Sequence, residues 1–306
     1  MSIWKRYELL RPDALADVVR AAPVAYWPLG LLEHHGWHLP VGFDGIKAER
    51  ICIRIAERAG GVVLPVMWWG GLGGHGDFMW TLYQSPDAAR EIVVNTVEHL
   101  ITFGFRAIVL MMGHYPWEAI LKDSLPALRA RHPDVLLIAG TEISIAPELE
   151  LGGDHAAREE TSYGLAALPE LVDMSALRPG RDASAWPSSQ PPDPTARHPG
   201  VSFDPNDPLF AQLGADARLA TAERGEAGAD LVEVELAVAV AVEPAEGLAG
   251  LLLPAPRGVA VGRTAGCRDH GLLDGRGGLD RRLAPGAGRE QAQDRQQRGA
   301  REPAAN

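Results

Sequence analysis

The chain has 306 residues, 46% hydrophobic and 23% charged, with a formal net charge of −11. That is enough apolar sequence for one large α/β domain or two modest ones. The acidic balance argues against a nucleic-acid partner and against an anionic membrane surface, and two cysteines, Cys52 and Cys267, exclude a disulfide framework.

The N-terminus lacks the long apolar region of a signal peptide. The most apolar later stretch, residues 231–254, is interrupted by Glu233, Glu235, Glu243 and Glu246 and would make a poor membrane span. The expected location is therefore cytoplasmic.

In chain order, residues 12–21 carry Ala14, Leu15, Val18 and Val19 at helical spacing. Residues 23–32 are an apolar run that reads as a buried strand. Glu33, His34 and His35 follow at once, with Asp44 eleven residues after Glu33. Glu33 and His35 are two apart, so in extended backbone they point to one side. Asp44 stands where a helix over 45–59 should begin and is a candidate N-cap. Glu, His and Asp converging after a strand suit one or two divalent metals. A solvated loop is the bland alternative for any one such pair.

Gly60 and Gly61 end that helix, and residues 62–66 read as a second short strand. A long Gly- and Trp-rich loop follows over 67–86, with Trp68, Trp69, His75 and Trp80. A loop of that length inside a compact domain is usually functional. Residues 87–103 are an amphipathic helix, and 106–112 a strongly apolar run fit for a central parallel strand. His114, Tyr115 and Trp117 stand where that strand stops. A helix over 117–131 and a strand over 135–139 complete the unit. At 152–165, Asp154 is a candidate N-cap before His155, Glu159 and Glu160; His155 and Glu159, four apart, would share a helix face.

The character changes near residue 180. Pro and Ser crowd 187–195, and 206–230 hold one more helical candidate. Lysine is absent after Lys122. Residues 1–243 are expected to form the working domain and 244–306 a low-complexity tail, disordered or aberrant; a frameshifted reading of a GC-rich gene would produce such a tail.

Four segments in order resemble the creatininase family of metal-dependent amidohydrolases. They are Glu33-His34-His35 with Asp44; Gly74-His75 with Phe78 and Thr81; Gly113-His114; and His155-Ala156-Ala157 with Glu160-Thr161-Ser162. The resemblance covers residues 24–165 and fades after 180. It implies a three-layer α/β/α sandwich with a mostly parallel sheet, and two divalent ions, zinc first, with manganese or iron as alternatives. Asp44 would bridge the ions, Glu33 and His114 would complete one site, and His35 would belong to the other. The family's carboxylate two residues after the Gly-His histidine is Pro116 here. Glu118 and Glu160 are the candidate replacements, Glu160 preferred.

The resemblance also implies that His155 is the catalytic acid/base, with Glu159 or Asp154 orienting it. Where the family has Pro-Gly, this chain has Met79-Trp80, and Tyr115-Pro116-Trp117 replaces Gly-Gly-Asn. An aromatic-walled pocket is expected, with Tyr115, Trp117, His75, Trp80 and Asp154 contacting a small-molecule substrate that need not be creatinine. The activity implied is hydrolysis of a C–N bond in a cyclic amide or small N-acyl compound. A lactonase and a non-catalytic metal-stabilised subunit are the other readings. Homo-oligomers, commonly hexamers, are implied as well.

Overall fold

Two six-residue apolar runs, Val24–Leu29 (β2) and Ala107–Met112 (β4), are buried along their whole length and pair in parallel, Val24 opposite Ala107 and Leu29 opposite Met112. Runs without polar alternation need cover on both faces. In the computed structural model, which describes residues 4–145, 153–181, 185–186, 191–193 and 197–226, both faces are covered. Ala25, Trp27, Leu29, Ile108, Leu110 and Met112 pack in one cluster, and Val24, Tyr26, Ala107, Val109 and Met111 in another. Alternate residues of a strand face opposite ways, so each run feeds two cores.

Three further strands, Trp4–Arg6 (β1), Gly61–Val63 (β3) and Leu136–Gly140 (β5), complete a five-stranded sheet in the order β1-β3-β2-β4-β5. Every pairing is parallel. One face packs on Phe43–Ala59 (α2) through Ala48, Ile51, Cys52, Ile55 and Ala56, with Tyr163 of Arg158–Ala167 (α7) joining the same core. The other face packs on Pro86–Thr102 (α3), Trp117–Leu121 (α4) and Ser124–Arg131 (α5), with Leu15, Val18 and Val19 of Pro12–Ala21 (α1) at its edge. The fold is a three-layer α/β/α sandwich, with a last short helix, Glu142–Ile145 (α6), after β5.

The strand order places a reversal at the centre. The chain leaves β2 toward β3 on one side and leaves β4 toward β5 on the other. The carboxyl ends of β2 and β4 therefore open a crevice between two departing connections, where open α/β sheets hold ligands. Two glycines bring α2 into it. A Cβ on Gly30, just after β2, would sit 2.4 Å from the Gly45 Cα, and one on Gly113, just after β4, 2.0 Å from the Asp44 carbonyl oxygen. Only bare backbone at both strand ends lets the first turn of α2 lie across them.

Several expected boundaries shift for identifiable reasons. Asp44 is not an N-cap: Gly42 holds that position, and the Asp44 side chain turns to two histidines instead. The expected helix over 117–131 breaks into α4 and α5, because Pro126 has no N–H to give the Lys122 carbonyl. His155 and Glu159 do not share a helix face, since α7 starts at Arg158 and His155 pairs with Leu213 in an isolated bridge. Asp154 still caps α7 from upstream, accepting the backbone N–H groups of Glu159 and Glu160 at 2.7 and 3.1 Å. Of the helical candidate at 206–230, the described residues show one 3-10 turn, Ala217–Leu219, and a helical segment at 222–226. The expected tail, 244–306, lies outside the described residues.

Candidate metal centre

Glu33 and His35 sit on the loop that leaves β2, which the Glu33 N–H closes by donating to the Val41 carbonyl at 2.8 Å. Asp44 comes from the first turn of α2, His114 from the end of β4, and Glu160 from the first turn of α7. All five side chains are buried. Among the described residues, Glu33, Asp44 and His114 form one group whose ligand-type atoms lie within 4.8 Å of one another, and His35, Asp44 and Glu160 form a second. Asp44 belongs to both. Its Oδ1 is 3.0 Å from His35 Nε2 and its Oδ2 3.1 Å from His114 Nδ1. A third group joins Glu33, His35 and His155. Glu118 is in none of them; its Oε1 is 3.5 Å from the Thr141 hydroxyl.

The histidines are oriented alike. A carbonyl oxygen can only accept, so a ring nitrogen against one is the N–H donor. His35 donates from Nδ1 to the Glu33 carbonyl at 3.0 Å, and His114 from Nε2 to the Leu72 carbonyl at 3.1 Å. His155 donates from Nε2 to the His34 carbonyl at 2.7 Å, and His75 from Nε2 to the Ala211 carbonyl at 2.9 Å. Each ring thereby turns its other nitrogen toward the carboxylates: His155 Nδ1 is 3.9 Å from Glu33 Oε2, and His75 Nδ1 3.5 Å from Glu33 Oε1. Backbone carbonyls that fix a ring this way are the usual outer partners of metal-binding histidines.

The electrostatics need positive charge inside this ring. Burial opposes a charged imidazole, yet Asp44 and Glu160 raise His35 to about 9, and Glu33 with Asp44 raises His114 to about 10. Burial opposes ionisation of Asp44 too, but His35 and His114 hold its carboxyl well below the usual range. Glu33 Oε2 is buried without a hydrogen-bond partner, although His114 Nδ1 is 3.1 Å away. A converging set of imidazole nitrogens and carboxylate oxygens with one oxygen unpaired fits hard or borderline divalent ions. His155 differs: burial, then the neighbouring His35, holds it well below the ordinary value, so it is neutral. Its ring lies between those of His75 and His35, with centroids 3.8 and 4.4 Å away.

The other expected site residues are placed less uniformly. Trp117 is not a pocket wall. It is fully buried in the core under α3 and β4, and its indole N–H donates to the Gly30 carbonyl at 3.0 Å, which fixes it inward. Glu159 does not orient His155: it is held by Arg158 and by Arg224, whose Nε is 2.6 Å from its Oε2. Asp154 caps α7 as described, and burial followed by Glu160 pushes its carboxyl up to about 7. Trp80 is 68% exposed on the long loop. Tyr115 is half-buried, its hydroxyl donating to Glu142 Oε1 at 2.9 Å.

Sequence reasoning missed three kinds of residue. Tyr83 reaches Glu33 Oε1 at 3.4 Å and accepts the His75 N–H at 3.1 Å. Lys47 and Glu142 form a fully buried ion pair at 2.7 Å, and Lys47 also reaches Glu160 Oε1 at 2.8 Å. The spacing from Asp44 to Lys47, three along a helix, was the available signal. Finally, Leu72, Ala156 and Ala211 adopt left-handed backbone, φ 67°, 50° and 64°. The Leu72 and Ala211 carbonyls fix His114 and His75, and the Ala156 N–H donates to Glu160 Oε2 at 2.9 Å. Strain of this kind persists where the surroundings impose it, commonly at functional sites.

Comparison with known proteins identifies the family. The family model for creatininase, described as creatinine amidohydrolase, matches residues 8–240. The chain is 28% identical over 254 residues to the creatinine amidohydrolase of Pseudomonas putida, covering 73% of this chain and 88% of that one. It is also 28% identical over 166 residues to the mycofactocin precursor peptide peptidase of Mycobacterium ulcerans (strain Agy99), 51% of this chain and 63% of that one. The crystal structure of a creatinine amidohydrolase superposes with a TM-score of 0.63 at 24% identity, covering 80% of this chain and 99% of the other. Other superposable creatininase structures are described as a manganese form and as a zinc–zinc form. With the family model spanning well over half its length, the chain belongs to the creatininase family.

Proposed function

We propose that this protein is a hydrolase that cleaves the C–N bond of a cyclic amide or small N-acyl compound with two divalent ions. Glu33, Asp44 and His114 would hold one, and His35, Asp44 and Glu160 the other. The observation that carries the reading is the sharing of Asp44: its two oxygens face histidines of two different groups, at 3.0 and 3.1 Å. When bound, such ions lower the pKa of water toward neutrality and polarise the carbonyl under attack.

The chain's own residues do the rest. His155 is neutral, with Nε2 committed to the His34 carbonyl, so Nδ1 is free to take a proton and later give it to the leaving nitrogen. Tyr83 and the Leu72 carbonyl hold Glu33 and His114 in place. Zinc is the preferred ion and manganese the alternative. A second reading, cleavage of a peptide amide, is favoured by the match to the mycofactocin precursor peptide peptidase. Trp69, Leu72, Trp80 and Leu82, exposed on one loop, supply apolar surface for a homo-oligomer.

Metal content measured on protein purified without chelator tests the reading. About two ions per chain are expected, with both ions and all hydrolysis lost in Asp44→Ala. Cyclic amides, lactones and short peptides are then screened with the loaded protein. A wild type without stoichiometric metal would overturn the proposal.

A further inference from the structure

The His35, Asp44 and Glu160 group has a neighbour that the Glu33, Asp44 and His114 group lacks. The chain has three lysines, Lys5, Lys47 and Lys122, and the side chain of Lys47 is entirely buried. Its ammonium donates to Glu142 Oε1 at 2.7 Å and to Glu160 Oε1 at 2.8 Å, and lies 4.7 Å from the centroid of the Tyr115 ring. The Tyr115 hydroxyl donates to the same Glu142 oxygen at 2.9 Å. Lys47 is thus held by a carboxylate and a ring that are themselves tied together.

The consequence falls on Glu160. With Oε1 taken by Lys47, only Oε2 is left toward the metal cluster. That oxygen accepts the Ala156 N–H at 2.9 Å and stands 3.7 Å from His35 Nε2. Both oxygens have fixed partners, so the carboxylate plane is fixed. The donor to Oε2 comes from a residue in strained left-handed backbone, φ 50°. On the other side, Glu33 Oε1 meets the neutral hydroxyl of Tyr83 at 3.4 Å and, among the described residues, no lysine or arginine. One helix, α2, delivers both the shared carboxylate Asp44 and, three residues on, the cation that hydrogen-bonds Glu160 of the second group.

We propose that Lys47 is the positioning residue of the second ion site: it holds Glu160 so that a single oxygen faces His35 and Asp44, and it makes the two sites unequal. The ion at Glu33, Asp44 and His114 is then the tightly held one. The ion beside Glu160 has a single carboxylate oxygen to bind, kept in place by Lys47 at the other, and it binds second and exchanges first. The proposal rests on the two-ion reading above and adds to it an order of loading.

The test is a zinc titration of the full chain against a chromophoric chelator, for wild type, Lys47→Met and Lys47→Gln. The glutamine variant keeps an amide donor should the methionine variant fail to fold. Wild type is expected to take up two ions with separable affinities. Either folded variant should keep the first affinity and lose roughly 10- to 100-fold in the second, the usual effect of removing an outer partner of a metal ligand. A purely structural lysine would lower Tm and leave both affinities alone, and that result would overturn the proposal, as would equal loss at both sites. Fewer than two ions in wild type would instead bring down the two-ion reading itself, and Lys47's role with it.

Discussion

The two halves of the cluster are built from the same side-chain types and differ in what stands behind them. Glu33, Asp44 and His114 come from the ends of β2 and β4 and the start of α2, rigid elements joined by backbone ladders. Their outer partners are neutral, the Tyr83 hydroxyl and the Leu72 carbonyl. The His35 side draws Glu160 from the first turn of α7 and sets it against a buried lysine. A carboxylate with one oxygen bound by an ammonium reaches an ion through a single fixed oxygen, so its site depends on the partner that fixes it. Equal ligand counts therefore do not make equal sites.

The largest effect that would break this comparison is the removal of one ligand from each half. His114→Ala should lose the tightly held ion and, because the second depends on the shared Asp44 being in place, most of the other as well. Glu160→Gln should lose only the weaker ion. Hydrolysis should fall on the order of 10³-fold or more in the first variant, the scale of losing preorganised electrostatic stabilisation. Elemental analysis beside kcat/KM reads both. Identical metal loss in the two variants would show the halves to be equivalent.

His155→Ala should leave both ions bound while lowering kcat by about 10² to 10⁴, the range of a general acid/base. The loss should be greater for an amide than for a lactone, because the amine needs a proton to leave and an alkoxide needs it less. If the variant sheds an ion, His155 acts as a ligand with Glu33 and His35, the third group the geometry allows.

A further test is the pH dependence of ion binding. In the metal-free protein His35 titrates at about 9 and His114 at about 10. Both are raised, so both rings carry protons at neutral pH, and an ion must displace them. Affinity should therefore fall as pH falls from 8 to 6, by about tenfold per pH unit for each proton displaced. Calorimetry in buffers of different ionisation enthalpy counts those protons. Release of none would mean the rings are already neutral and the carboxylates less exposed to them than the distances indicate.

Much of this arrangement is written along the chain. The runs at 24–29 and 107–112 must be central strands, because no shorter-period pattern buries them. Acidic and imidazole groups placed just past each run must then meet at one edge of the sheet. Glu33, His35, Asp44 and His114 are therefore legible as a cluster before any coordinate is known. What a linear reading cannot supply is direction. Trp117 follows His114 by three residues and reads as pocket wall, yet its indole turns into the core because the Gly30 carbonyl is there to accept it. Glu159 and Glu160 are adjacent in sequence, but α7 points one at Arg224 and the other at His35. Lys47 finds its partners only because α6 and α7 close Glu142 and Glu160 around it. The left-handed turns at Leu72, Ala156 and Ala211 carry residues with no local preference for that backbone. Composition and periodicity act through neighbours in the chain, so they specified the layers and the edge where the chemistry gathers. Which atoms face one another there depends on groups tens of residues apart, and only the packed tertiary structure brought them within hydrogen-bond range.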